Sequence, residues 1–214
     1  MGGIFSHDGP LFKVGNAITD ILLLGMLWFF ASIPLVTMGA ATTAAYYVAT
    51  KNANGMDVRL WRDFWKSFRQ NFITSTLVFL TLAAVYTIFF FNMRNIDLVE
   101  NMRNIVFLVQ ILFLIQTTFV AMYAFPIISR FDLRYIQIFK TAFFLANRHI
   151  LITLINSVLL AVMFTLAWDI MPALLLVAMG IYCHFSSLLI VKVFRKYRPD
   201  LDPPDVNGGE HNEA

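Results

Sequence analysis

Five stretches of this chain contain no Asp, Glu, Lys or Arg for 20 or more residues: 21–50, 70–93, 104–129, 149–168 and 170–191. That one feature decides what the chain can become. A helix needs about 20 mostly apolar residues to cross a hydrocarbon layer some 30 Å thick. Spanning strands are excluded, because the runs are continuously apolar and do not alternate with period two. Apolar residues make up 59% of the chain and charged residues 14%, against roughly 45–50% and 25% in soluble domains. Water would tolerate that surplus only if most of the surface were covered by other subunits. The expectation is an all-α, polytopic transmembrane helix bundle.

The charges left over are sorted. Lys and Arg in short loops mark the cytoplasmic side of a membrane. Lys51, Arg59, Arg62, Lys66 and Arg69 follow the first run; Arg130, Arg134, Lys140 and Arg148 follow the third; Lys192, Arg195, Lys196 and Arg198 close the last. The intervening loops either balance Arg94 and Arg103 with Asp97 and Glu100 or, at Asp169, carry no cation. Basic and non-basic connections therefore alternate, and the segments 51–69, 130–148 and the C-terminus are expected in the cytoplasm. The run 21–50 is too long for one span and short for two. Pro34 disturbs a helix behind it, and Thr37 is placed to cap a new one. A break at 34–37 is expected, with helices of about 18–33 and 38–52. This predicts six helical segments with both termini inside; a single kinked helix over 18–50 would make five. The transmembrane domain covers 1–198, and the acidic, Pro- and Gly-rich tail 199–214 is expected to be disordered.

Two of the basic connections read as interfacial helices. Trp61, Phe64, Trp65, Phe68 and Phe72 recur at helical spacing, with Arg59, Arg62, Lys66 and Arg69 on the other side. Ile136, Phe139, Ala142 and Phe143 form a second stripe beside Arg134, Gln137 and Lys140. Such helices lie at headgroup level with their cations toward anionic lipid. Trp61, Arg62, Trp65, Lys66, Arg69, Arg134 and Lys140 are thus candidates for contact with the membrane surface or with a partner protein. A shift of 75 residues superposes Thr42 and Thr43 on Thr117 and Thr118, Ala49 on Ala124, and Asp57 and Arg59 on Asp132 and Arg134. It also superposes Phe64 and Phe68 on Phe139 and Phe143. A tandem repeat of helix, interfacial helix and helix would produce this, as in some transporters. In the helix expected over 38–52, Gly39, Ala41, Ala45 and Ala49 form a strip of small residues that lets helices approach closely. That segment is expected at the centre of the bundle.

Catalytic constellations are not found. There is no phosphate-binding GxxxxGK[ST], no HExxH, no GxSxG and no paired carboxylate inside a run. The lone Cys183 permits no internal disulfide or CxxC metal site. Polar residues within the runs are neutral, among them Gln110, Gln116, Thr117, Thr118, Asn156, Ser157 and His184. Bonds between helices account for them; a neutral polar pocket for a sugar is the sharper alternative. Asp20 and Asp169 sit at run ends. No catalytic residue, cofactor, metal or nucleic-acid partner is expected, and the chain is read as a non-enzyme.

Three parts of the chain carry a resemblance. The opening MGGIFSHDGPLFKVGNAITDILLLGMLWFFASIPLVTMGAATTAAYYVATK, the stretch RDFWKSFRQNF and the later YAFPIISRFDLRYIQIFKTAFFLANRHI resemble the YesL-type bacterial membrane proteins. The resemblance runs from residue 2 to about 198, with fewer Arg before the first span than that family leads one to expect. It implies a multi-pass protein of the bacterial plasma membrane, connected with oligosaccharide use. It brings no catalytic residues. Genes of that family tend to lie beside ABC-type sugar uptake systems, sensor kinase–regulator pairs and polysaccharide-degrading enzymes, so an ABC sugar permease or a sensor kinase is the implied partner beside the lipid bilayer. The resulting expectation is a non-catalytic accessory protein of carbohydrate uptake or its sensing. The alternative is a transporter subunit moving a small neutral solute. Against it, the 129–149 segment lacks the EAA signature and glycine by which ABC permeases couple to their ATPase, and no carboxylate sits at midspan.

Overall fold

The computed structural model describes residues 10–96, 102–169 and 175–197. The tail 199–214, the first nine residues and the loop acids Asp97 and Glu100 lie outside the described residues. Among the described residues, seven α-helices follow one another: α1 (Pro10–Ala31), α2 (Met38–Ala53), α3 (Leu60–Arg94), α4 (Arg103–Arg130), α5 (Tyr135–Arg148), α6 (Ile150–Asp169) and α7 (Leu175–Tyr197). Among the described residues there is no strand. By length and composition α3, α4 and α7 can each cross a membrane, and the bent pair α5–α6 makes a fourth candidate.

The outer surface is apolar. Only 17% of the most apolar window of α3 and 11% of that of α4 are buried inside the chain. Ile73, Leu77, Phe90, Phe113, Leu151 and Val158 are all half exposed or more. Water would make these faces costly at about 25 cal/mol for each Å² of apolar surface, whereas lipid makes them neutral. This is a membrane protein's exterior.

The break between α1 and α2 falls at the expected residues. A short 3-10 turn, Leu35–Thr37, separates the two helices. Pro34 is extended, with φ −74° and ψ 109°. Thr37 does not cap α2 with its side chain. Its hydroxyl instead donates to the carbonyls of Ala31 at 2.6 Å and Pro34 at 2.7 Å. The last carbonyls of α1 lack helical partners, and the Thr37 hydroxyl supplies one. The threonine serves the helix behind it.

The interior belongs to α2. Eleven of its sixteen residues are buried, and it packs against α1, α3, α4 and α7. Gly39, Ala41, Ala45 and Ala49 are all among the buried residues. At Gly39 the approach is to backbone: a Cβ there would lie 2.5 Å from the Ser75 carbonyl oxygen and 2.6 Å from Phe79 Cβ. Gly180 does the same between α7 and α1, where a Cβ would stand 2.3 Å from the Ile21 carbonyl. Small residues thus draw α3 onto α2 and α1 onto α7.

One expected element is merged with its neighbour. The basic-aromatic stretch after the first run is not a separate interfacial helix: it forms the first turns of α3, which continues unbroken to Arg94. No Gly or Pro interrupts 60–94, which permits one helix, and α2 packs along it. At 35 residues, α3 is about 52 Å long. It exceeds a hydrocarbon core by several turns, and the surplus is the basic end. The second stretch does form its own helix, α5, set at 98° to α6.

Candidate functional site

Two places in the bundle are built for contact. The first is the basic end of α3. Trp61, Trp65, Phe68 and Phe72 form a ladder of rings with centroids 5.9, 5.2 and 5.6 Å apart in succession. Phe64 is fully buried and stacks on Phe68. The ladder therefore turns from the interior at Phe64 to the surface at Trp61, which is 66% exposed. A hollow of about 690 Å³ lies beside it, lined by Trp61, Arg62, Trp65, Lys66, Arg69 and Gln70. Three cations and two indoles face it, and no carboxylate. The structure brings together all five sequence candidates from this helix.

Arg134 and Lys140 are exposed on α5, apart from that hollow. Arg134 instead borders another, with Asp132, Leu133 and Tyr135 opposite Thr74 and Leu77 of α3. The apolar stripe assigned to α5 needs correcting. Ile136 and Phe143 are 64% and 53% exposed, while Ile138, Ala142, Leu145 and Ala146 are buried. The helix is apolar on two sides: one packs on α4, and the other carries Ile136 and Phe143 outward. The sequence stripe straddled both sides: Ala142 and Phe139 pack inward, while Ile136 and Phe143 face outward.

Asp63 was not among the candidates, yet it organises the basic end. Lys51 Nζ donates to its Oδ2 at 2.7 Å, and the Arg59 backbone N–H donates to the same oxygen at 3.0 Å. This joins the end of α2 to the first turn of α3, ahead of the uncharged run. Burial alone would raise the Asp63 carboxyl. The hydrogen bonds from Lys51 and Arg59, with the charges of Lys51 and Lys66, outweigh burial and hold it below the ordinary carboxylate value. The signal was an acid in the first turn of a helix, where it also meets the helix dipole.

Near the same end, Arg130 Nε donates to Thr50 Oγ1 at 2.7 Å, and its guanidinium lies 5.5 Å from the centre of the Tyr47 ring. Arg195 Nη2 donates to Asn54 Oδ1 at 3.3 Å. These cations sit at the C-terminal ends of α4 and α7, where helix dipoles favour positive charge. They hold helix ends together.

The second place is a cavity of about 400 Å³ in the half of the bundle away from the basic ends. Six helices contribute to it: Trp28 from α1, Thr42 and Tyr46 from α2, Phe79 and Tyr86 from α3, Met122 and Phe125 from α4, Leu160 and Met163 from α6, Met179 and Tyr182 from α7. Its polar groups are engaged with protein. Trp28 Nε1 donates to Thr42 Oγ1, the Tyr86 and Thr118 hydroxyls share a bond, and so do those of Tyr46 and Ser186, each at 3.0 Å. No charged residue lines it. Asp20 lies exposed on α1, outside the cavity lining, and Asp169 is the last residue of α6. Among the described residues, no three His, Cys, Asp or Glu side chains are grouped to hold a metal.

Residues 21–93 match the family described as "Protein of unknown function, DUF624". They span the latter part of α1, all of α2 and nearly all of α3. The "Uncharacterized protein YesL" of Bacillus subtilis (strain 168) is 27% identical over 146 residues, which cover 65% of this chain and 68% of YesL. The chain is thus similar to YesL, in line with the YesL-type resemblance read from the sequence, and the family match covers the α2–α3 pair on which the exposed basic end is built. No solved structure matches.

Proposed function

We propose that this chain is a non-catalytic accessory protein of the bacterial plasma membrane that serves oligosaccharide uptake or its sensing. It works by contact. The observation that carries this reading is the hollow at the basic end of α3, with Trp61, Arg62, Trp65, Lys66 and Arg69 around it. Exposed Trp and Arg are the residue types that dominate protein interfaces, and unopposed cations suit either an acidic partner surface or anionic lipid. The partner class, an ABC sugar permease or a sensor kinase, is the one that the family resemblance of the sequence implies.

In this reading α1, α2, α3, α4, α6 and α7 cross the membrane, the basic ends and both termini face the cytoplasm, and α5 lies along the surface. The helix ends support a tandem unit as well. Leu60 and Tyr135 are 75 positions apart, and so are Arg94 and Asp169. The shift that aligns the sequence thus also aligns both ends of α3 with those of the α5–α6 pair. A transporter subunit for a small neutral solute is the second reading, and the cavity favours it in location. The cavity's mostly apolar walls and internally bonded hydroxyls argue against a sugar as cargo.

A photocrosslinking residue at position 62, in cells growing on a glycan, tests the contact. Adducts with a permease or kinase subunit are expected, and they should fall sharply in a Trp61→Ala, Lys66→Ala background. Adducts with lipid alone would sink the partner reading and leave a membrane anchor. A topology reporter fused at residue 1 decides between six and five crossings.

A further inference from the structure

The cavity has a chemical character that the contact reading does not use. Phe79 is 19 residues from the start of α3, so it sits about 29 Å from the basic end along the helix. That depth is within the hydrocarbon for a helix anchored by its basic turns at the headgroups. Met38, Met122, Met163 and Met179 line the wall, and methionine adapts its shape to flexible apolar partners. The hydroxyl and indole groups that reach the wall bond to one another or to Ser186. A sugar would have to give up water at each of its hydroxyls with few groups free to replace it. A phospholipid headgroup would find no cation. The volume of about 400 Å³ is near the lower end of the roughly 300–1,000 Å³ of ligand pockets, room for one chain rather than two.

One end of the cavity is different. Tyr46 and Tyr182 close it, their rings edge to face at 6.4 Å.

We infer that the cavity binds a neutral, single-chain lipid, its chain among the methionines and its hydroxyl or carbonyl end toward Tyr46 and Tyr182. The bilayer supplies such molecules, and the packing of α4 against α6 is sparse enough to admit them. The test uses the full chain in lipid nanodiscs with a 1-hexadecanol carrying a diazirine on its chain. Labelling is expected to saturate and to map to Met122, Met163 and Met179. Excess unlabelled hexadecanol should displace it and maltose should not. Ala121→Phe and Ala178→Phe, from different helices, should each lower it by about tenfold as they fill the hollow. Tyr182→Phe should weaken hexadecanol by about tenfold while leaving hexadecane unchanged. Unsaturable labelling spread over outward residues such as Phe113 and Leu151 would overturn the inference, as would displacement by maltose. If either Phe variant misfolds, displacement on the unmodified chain still decides the matter.

Discussion

α3 and the α5–α6 pair begin 75 positions apart, yet α3 is continuous and the pair is bent by 98°. Each follows an Arg, Arg59 or Arg134, and each spans 35 residues. What separates them is written in the residues that face the preceding helix. α2 grips α3 at three points: the backbone approach at Gly39, the 2.8 Å bond between Thr43 and Ser75, and the Lys51–Asp63 ion pair. Seventy-five positions on, Gly39 becomes Leu114, Ser75 becomes Ile150, Lys51 becomes Pro126 and Asp63 becomes Ile138. Every grip is gone. Thr43 alone has a like counterpart in Thr118, and that hydroxyl bonds Tyr86 of α3 instead. α4 consequently packs along α5 more than along α6, and the cavity lined by six helices lies where α4 and α6 part.

The bend has its own fastening. Thr153 Oγ1 is bonded to the Ala146 carbonyl at 2.8 Å and the His149 carbonyl at 3.1 Å. The first of these carbonyls is left without a helical partner where α5 stops. The Tyr123 hydroxyl adds a bond to the same threonine at 3.2 Å. The matching position in α3 is Val78, which can satisfy nothing. One helix is continuous because a neighbour holds it along its length. The other is bent because a single hydroxyl replaces the bonds that bending costs.

The largest effect should come from giving the first pair the second pair's residue. Gly39→Leu puts a branched side chain where even a Cβ meets backbone at 2.5 Å. The expected loss is about 3 kcal/mol or more, as for severe overpacking, read as a fall in melting temperature in detergent. Gly39→Ala should cost less but remain clearly destabilising. A neutral alanine would mean that close approach does not keep α3 continuous.

Next is the ion pair. Asp63→Asn should cost about 1.5–3 kcal/mol, the range for hydrogen bonds to charged groups, toward the lower end because Lys51 keeps some contact with water. The sign with pH follows from a carboxyl held below its ordinary value in the folded chain. Its stabilisation is complete above the unfolded value of about 3.9 and drains as pH falls through the folded value. Acid titration of unfolding should therefore show a component between those limits that Asp63→Asn removes. An unchanged acid limb would leave the pair without energetic weight.

The same contrasts separate what was legible in the sequence from what was not. Helical class, the break at Pro34 and the strip of small residues were legible because each rests on local chemistry: uncharged length, a missing N–H, side-chain volume. The continuity of α3 was not. An amphipathic stretch next to an apolar one looks like two helices whether or not they join, and the junction depends on what α2 does to Ser75. Asp63 was hidden for a related reason, since its partner Lys51 had already been assigned to orientation. The cavity had no sequence signal at all. Its walls come from six helices, and each lining residue is an ordinary apolar or hydroxyl side chain.

Thr153→Val is a smaller change aimed at the bend. It keeps shape and removes two bonds to carbonyls, for an expected cost of about 1–2 kcal/mol. Spin labels at 140 and 158 should report a wider distribution of distances across the junction. If the distribution stays narrow, packing of Leu145 and Ala146 on α4 sets the angle and the hydroxyl only follows it.

The smallest effect belongs to His149, which lies between α5 and α6 at the turn itself. Its Nε2 is 3.3 Å from the Tyr197 hydroxyl. Burial, followed by the charges of Lys196 and Arg148, holds the imidazole below its ordinary value. The unfolded chain therefore takes up the proton first as pH falls. The neutral ring's contribution is whole above about 6.5 and drains as pH drops below it. Screening by solvent keeps this to roughly a few tenths of a kcal/mol. His149→Asn should flatten the slope of melting temperature between about pH 7.5 and 5.5, a window around the ordinary imidazole value, while Thr74→Asn, at the matching place in continuous α3, should leave the slope as it was. Equal slopes in all three proteins would show that protonation does not act through the bend. A flattened slope in the first variant alone would tie the pH response to the junction that distinguishes the two halves.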